Sequence, residues 1–198
     1  MKLKKILQAF GLKGGSTYKM PTGSYAEIPD IIREVMKLDP LTVLDIGPGF
    51  GKWGVLIREY LELWNRYNYK KNKWVKTIDC CEAFKDYLSP LHDYVYNNII
   101  NQPIQEYVKI MPNYDLAIMI DVFEHLTKEE GKKLIKDLML KVKNLIISVP
   151  ALWSPQGAAY GNIYEIHKSQ WTYKEFEDLG FKRISNLSDP ITVMLGKV

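Results

Sequence analysis

From residue 42 onward, short apolar runs rich in β-branched residues alternate with stretches whose apolar positions recur every three or four residues. The first rhythm is that of buried strands and the second that of helices with one apolar face. Thr42–Ile46 reads as the first strand. Trp53, Leu56, Ile57, Tyr60, Leu61 and Trp64 then share one helical face. Trp74–Asp79 reads as a second strand, Ala83–Leu88 as a helix, and the third strand falls around Tyr94–Ile100. Leu116–Ile120 is apolar at every position, as a central strand covered on both faces requires.

A helix is predicted over Lys128–Lys141, with Leu134, Ile135, Leu138 and Met139 inward. Thr127 and Glu130 before it have the spacing of a capping box. The fifth strand, Leu145–Val149, is closed by Pro150. A helix at Tyr173–Leu179 leads to strands Phe181–Leu187 and Ile191–Leu195, joined across Ser188-Asp189-Pro190. That join suits an antiparallel pair and is too short for a parallel crossover. The sum is an α/β domain: a mostly parallel seven-stranded sheet, helices on both faces, and an antiparallel last strand.

Upstream, Tyr25–Leu38 reads as a helix with Pro29 in its first turns, ended by Asp39-Pro40. Leu3, Ile6, Leu7 and Phe10 form a short amphipathic stripe followed by Gly11, Gly14 and Gly15. We therefore divide the chain into a basic N-terminal segment, 1–24, and a domain, 25–198. The formal charge of +4 belongs to the segment: residues 1–20 hold five lysines and no acid, which leaves the rest at −1. The segment offers a surface to an anionic partner such as nucleic acid. No apolar run reaches a membrane span of roughly 18 residues, and no cleavable leader is expected. The adjacent Cys80 and Cys81 have neither disulfide nor metal spacing, which fits a reducing, cytoplasmic setting.

The chemistry begins at Thr42–Gly54, where a strand carrying Asp45 runs into Gly47-Pro48-Gly49-Phe50-Gly51 and then a helix. Such a unit brings backbone N–H groups close to a nucleotide-like ligand. A dinucleotide fingerprint needs a further glycine where this chain has Lys52, which argues against a nicotinamide enzyme. Ligands in open α/β sheets lie beyond the carboxyl ends of the strands. Asp79, with Cys80 beside it, is placed there by the predicted second strand, where a carboxylate accepts from a ribose diol. Asn101 and Gln102 follow the third strand, and their amides suit an adenine amino group. Asp121, Val122, Glu124 and His125 follow the fourth, while His167 lies beyond the loop after the fifth.

The G-x-G-x-G loop with an acid two residues ahead resembles the first motif of class I S-adenosylmethionine (SAM) methyltransferases. Asp121-Val122-Phe123-Glu124-His125-Leu126 resembles the D-x-x-E-H-L segment of the branch that includes ubiquinone-biosynthesis O-methyltransferases. His167 and Trp171-Thr172 resemble a later segment of the same branch, so the likeness spans about residues 40–198. It implies a Rossmann-like three-layer α/β/α sandwich, SAM as cofactor, and methyl transfer to an oxygen, nitrogen or carbon nucleophile. By resemblance, Gly47, Gly49 and Gly51 hold the methionine end, Asp45 orients its amino group, and Asp79 holds the ribose. Asp121 and Val122 lie beside the methyl region, and His125 or His167 is the base. The methyl acceptor, small or macromolecular, is not named by any residue pattern.

Two further readings remain open. A SAM-binding regulatory protein would need neither histidine. Asp121, Glu124, His125 and His167 also resemble the two acids and two histidines that hold a divalent ion in the small-RNA 2′-O-methyltransferase family. The metal-free assignment is the one adopted here.

Overall fold

The computed structural model describes residues 23–64 and 66–196. The amphipathic stripe and glycines of residues 1–20 lie outside them. Strands β1 (Thr42–Ile46), β2 (Thr77–Cys81), β3 (Ile99–Ile100), β4 (Tyr114–Ile120), β5 (Val142–Val149), β6 (Lys182–Arg183) and β7 (Ile191–Gly196) form one sheet. Their order is β3-β2-β1-β4-β5-β7-β6. β1 to β5 pair in parallel, and β7 runs antiparallel to both β5 and β6.

Helices α1 (Ile28–Leu38), α2 (Lys52–Arg58) and α3 (Pro90–Val95) cover one face, burying Ile31, Val35, Trp53, Ile57 and Val95 against Val43 and Ile118. The opposite face packs α4 (Ile104–Tyr107), α5 (Lys128–Lys141) and α6 (Tyr173–Asp178) through Ile104, Leu134, Leu138 and Phe176. Complete burial of one such side chain stabilises by roughly 1.5–3 kcal/mol. Two covered faces account for the unbroken apolar run of β4. Thr127 accepts from the Glu130 N–H at 3.2 Å and Glu130 accepts from the Thr127 N–H at 2.8 Å, the predicted cap of α5. Among the described residues no helix is long and apolar enough to cross a membrane.

Three departures bear on function. β2 begins at Thr77 rather than Trp74 and ends at Cys81, beyond Asp79. The predicted helix Ala83–Leu88 shrinks to a single 3-10 turn, Lys85–Tyr87, and α3 occupies the start of the predicted third strand. Ser89-Pro90 explains this: proline fits a first helical turn, and Ser89 and His92 form its cap.

The third departure is at the end of α2, which continues as a π-helix over Glu59–Trp64. The widened turn rotates later residues out of the 3.6-residue series, so Glu62 is buried and Trp64 exposed. Glu62 accepts from the N–H groups of Val75 and Lys76 at 2.7 and 2.6 Å. Arg58 donates to the carbonyls of Lys76 and Val95 and to the Asn97 side chain, each at 2.9 Å. Its guanidinium lies 4.3 Å from the Trp74 ring centre. The polar insertion after α2 is thus anchored beneath the amino ends of the strands. Further along α2, a Cβ on Gly54 would lie 2.4 Å from the Tyr96 hydroxyl, so only glycine fits.

Candidate active site

At the carboxyl ends of the strands lies a cavity of about 780 Å³. That is within the roughly 300–1,000 Å³ of small-molecule sites. Gly47, Pro48 and Gly49 line it after β1, Glu82 after β2, Asp121 and Val122 after β4, and Pro150 after β5.

The glycine loop is held from several sides. The Gly47 N–H donates to the Cys81 carbonyl at 2.9 Å, and the Gly51 N–H to Pro48 at 2.8 Å. Gly47 has φ 68°, and a Cβ there would meet the Val122 side chain at 2.5 Å. Only glycine fits, and the loop backbone stays open to the cavity. His92 accepts the Ser89 N–H on Nδ1, so Nε2 bears the proton and donates to the Gly49 carbonyl at 3.0 Å. This bracing histidine was not read from the sequence.

Three predicted motif residues lie elsewhere. Asp45 is buried beneath the loop, where it accepts from the Tyr96 hydroxyl at 2.6 Å. Burial pushes its carboxyl up to about 7 despite that bond. Gly51 caps α2, and the Phe50 side chain is exposed. None of the three lines the cavity.

The predicted ribose acid requires a correction. Asp79 sits inside β2, where one oxygen accepts from the backbone and side chain of Asn98 and the other from the Tyr114 hydroxyl at 2.8 Å. It does not reach the cavity. Because β2 runs on through Cys80 and Cys81, the acid at its end is Glu82. That buried carboxylate accepts from the Phe84 N–H at 2.8 Å and is pushed up to about 7, chiefly by burial. Both cysteines are free and buried. Burial raises both thiols, Cys81 to about 12, and of the two only Cys81 lines the cavity. Asn101 and Gln102 are likewise displaced: the Asn101 amide donates to the Glu82 carbonyl at 2.8 Å, and Gln102 presents its carbonyl to the Cys81 thiol. Their places in the wall are taken by Pro103, Ile104, Gln105 and Glu106.

The opposite wall gathers what followed β4 and β5 in sequence. Asp121 holds φ 55°, a left-handed conformation for a non-glycine residue, while its N–H donates to the Ser148 carbonyl at 2.9 Å. Its carboxylate accepts from the Ser24 N–H at 3.1 Å, a contact with the strap that enters α1. The Glu124 carbonyl receives the N–H groups of Lys168 and Ser169 at 2.9 and 3.1 Å, which sews the two loops together.

His125 and His167 therefore meet, with ring centres 4.9 Å apart and edge to face. Each points Nδ1 at a backbone carbonyl, of Ile166 and Ser154 respectively. A carbonyl only accepts, so Nδ1 bears a proton in both, and in the neutral ring Nε2 holds the lone pair. Burial lowers the His125 pKa, which keeps that ring neutral near pH 7. One ligand-type atom from each of Glu124, His125 and His167 lies within 4.8 Å of the others. Asp121 stands outside this group. The long loop before His167 folds around the buried Asn162, and Glu165 receives the Tyr87 hydroxyl and the Gln156 amide at 3.1 and 3.0 Å.

No protein-family model and no curated protein matches the chain. Solved structures share its fold. The methyltransferase domain of bacterial CtHen1-CN is 17% identical over 86% of this chain and 97% of its own, with a TM-score of 0.57. TehB from Haemophilus influenzae is 14% identical over 88% of this chain and 64% of its own, at 0.61. Magnesium protoporphyrin IX methyltransferase (ChlM) from Synechocystis PCC 6803, solved with SAH, is 13% identical over 99% and 98%, at 0.55. The architecture is thus the seven-stranded Rossmann-like sheet of class I methyltransferases.

Proposed function

We propose that the chain is a SAM-dependent methyltransferase. The observation that carries this reading is the Glu82 carboxylate at the end of β2, lining the same cavity as the adjacent glycine turn, in which Gly47 and Gly49 are left-handed. The residues fit the cofactor: the loop backbone would hold its methionine part and Glu82 its ribose diol. When bound, SAM supplies a methyl group on a positively charged sulfur, already electrophilic. The protein's contribution is then alignment, where effective molarities on the order of 10⁵ M or more are attainable. His125 or His167, with its lone pair on Nε2, would take the proton of a hydroxyl, phenol or amine acceptor.

A second reading is favoured by one observation, the convergence of Glu124, His125 and His167. An acid and two imidazoles suit a divalent ion. Such an ion would polarise an acceptor hydroxyl from the position where the first reading has a base.

Calorimetric titration with S-adenosylhomocysteine (SAH) and with NAD tests the cofactor. SAH is expected to bind at micromolar concentration and NAD not at all; no heat with SAH overturns the assignment. A chelator separates the two histidine roles. A chelator-insensitive rate whose acid limb disappears in His125→Gln or His167→Gln supports the base. Activity lost to chelator and restored by Mg²⁺ or Mn²⁺ supports the metal.

A further inference from the structure

The polar insertion after α2 serves neither the cavity nor the core. From Arg66 to Lys76 it holds five cations and no acid, interleaved with Tyr67, Tyr69 and Trp74. Buried groups fix it from beneath. Glu62 binds the N–H groups of Val75 and Lys76, and its backbone carbonyl receives Asn68 at 3.2 Å. The Trp74 indole donates to the Asn68 carbonyl at 2.8 Å, while its ring meets the Arg58 guanidinium and, edge to face at 5.7 Å, the ring of Tyr94. Tyr67 holds φ 57°, a left-handed conformation that a bulky residue seldom adopts.

What this frame displays is aromatic and cationic. Trp64, Tyr67 and Tyr69 are 65, 78 and 74% exposed, so the described chain leaves each of them mostly uncovered. Lys70, Lys71 and Lys73 are exposed as well. Asp39 is already engaged by Arg66 and Lys76, at 3.5 and 2.6 Å, and among the described residues no carboxylate pairs with the three lysines. Lys71 donates to the Asp93 carbonyl at 2.7 Å and stands 5.6 Å from the Tyr94 ring centre, which extends the surface onto α3. Uncovered rings beside unpaired cations, with no acid among residues 66–76, are the parts of a single-strand platform: rings stack on bases and ammonium groups neutralise phosphates.

We propose that this loop is a docking surface for single-stranded nucleic acid, with Trp64, Tyr67 and Tyr69 against bases and Lys70, Lys71 and Lys73 against phosphates. Stacking needs base faces that a duplex keeps covered. A lipid surface is a poorer match, because Val75 is the only aliphatic residue between Arg66 and Lys76 and offers little to bury in acyl chains. The loop precedes β2, whose five residues, roughly 16 Å at 3.3 Å each, separate it from the cavity end of the sheet. A strand bound here is held without entering the cavity, so the inference is independent of the methyl-transfer reading.

The test is fluorescence anisotropy of the full chain with a labelled single strand of about 15 nucleotides, as DNA and as RNA, and with a duplex of the same length. The single strands are expected to bind more tightly than the duplex. Replacing the three lysines together (Lys70→Gln, Lys71→Gln, Lys73→Gln) should weaken binding and reduce the slope of log affinity against log salt by about 2. Tyr67→Ala and Tyr69→Ala should each weaken it roughly five- to a hundredfold and leave that slope unchanged. All five side chains are exposed, so melting temperatures should hold. Absence of binding, a duplex bound as tightly as a single strand, or tyrosine variants without effect would each overturn the inference. So would lysine replacement that leaves affinity and slope intact, a result that assigns binding to the basic residues 1–20. Binding to phosphatidylserine vesicles but not to oligonucleotides would overturn it in favour of a membrane surface.

Discussion

Beneath the amino ends of the strands, Arg58, Glu62 and Lys76 are buried as deeply as Glu27, Glu82 and Glu124 are at the carboxyl ends. The lower cluster is closed. Arg58 reaches two carbonyls and an amide, Glu62 receives two backbone N–H groups, and the Lys76 ammonium lies 2.6 Å from Asp39. The upper cluster is less complete: among the described residues neither Glu27 oxygen has a hydrogen-bond partner, and Glu82 is raised to about 7 by burial even though backbone N–H groups reach it. Burial of charge is common to both ends, so burial alone does not mark a site. What marks it is a buried charge that the chain does not complete.

The largest effect should come from the closed end. Arg58→Ala leaves Glu62 buried without its nearest cation and empties the face of Trp74. Breaking such a pair costs roughly 3–5 kcal/mol. Urea denaturation should show a loss of that order, with SAH affinity of the folded protein little changed. A loss below about 1 kcal/mol would dissolve the contrast.

Glu82→Gln should do the reverse. SAH affinity is expected to fall ten- to a hundredfold, equivalent to about 1.4–2.8 kcal/mol, while ligand-free stability holds or rises. Calorimetry and thermal melting of the same sample read both. Destabilisation with unchanged affinity would assign Glu82 to the scaffold.

A third effect is on pH dependence. Glu82 and Asp45 both have folded-state pKa values raised to about 7, so the folded protein holds protons that the unfolded chain releases near pH 4–5. Their contribution is full below that range and is lost as pH rises toward 7. Stability of the ligand-free protein should therefore decline between about pH 4.5 and 7, by at most about 1.4 kcal/mol per pH unit for each group. Saturating SAH should flatten the decline, because hydroxyl donors favour the ionised Glu82. Melting temperatures across that window check the sign, and a rise with pH would contradict the assignment.

The chain states its scaffold more openly than its site. β1 and α5 have the bounds their patterns predict, because β-branched runs and a capping box act locally. Asp79 misled for an equally local reason: an acid after Thr77-Ile78 looks like a strand end, and only pairing with β1 and β3 carries the strand on through two cysteines. Glu82 is legible once that register is known. The positions of His125 and His167 after successive strands put both at the crevice, but only the folded loops bring the two rings together. Glu27 had no such signal. Beside Pro29 it reads as an ordinary acid at a helix start, and its isolation exists only where the strap crosses Asp121. Trp64 failed because a π-turn leaves no mark in a 3.6-residue pattern.

Gly54 carries a last consequence. In the interior of an ordinary helix, alanine would be favoured over glycine by nearly 1 kcal/mol. Here a methyl group would strike the Tyr96 hydroxyl, the donor to Asp45. The three positions therefore form one inherited unit. A descendant that acquires alanine at 54 has to shorten the tyrosine, and once the hydroxyl is lost the buried acid at 45 loses its side-chain donor and keeps only the backbone of residue 54. Among divergent relatives these positions should change together or not at all, and that linkage would be visible in aligned sequences without any structure.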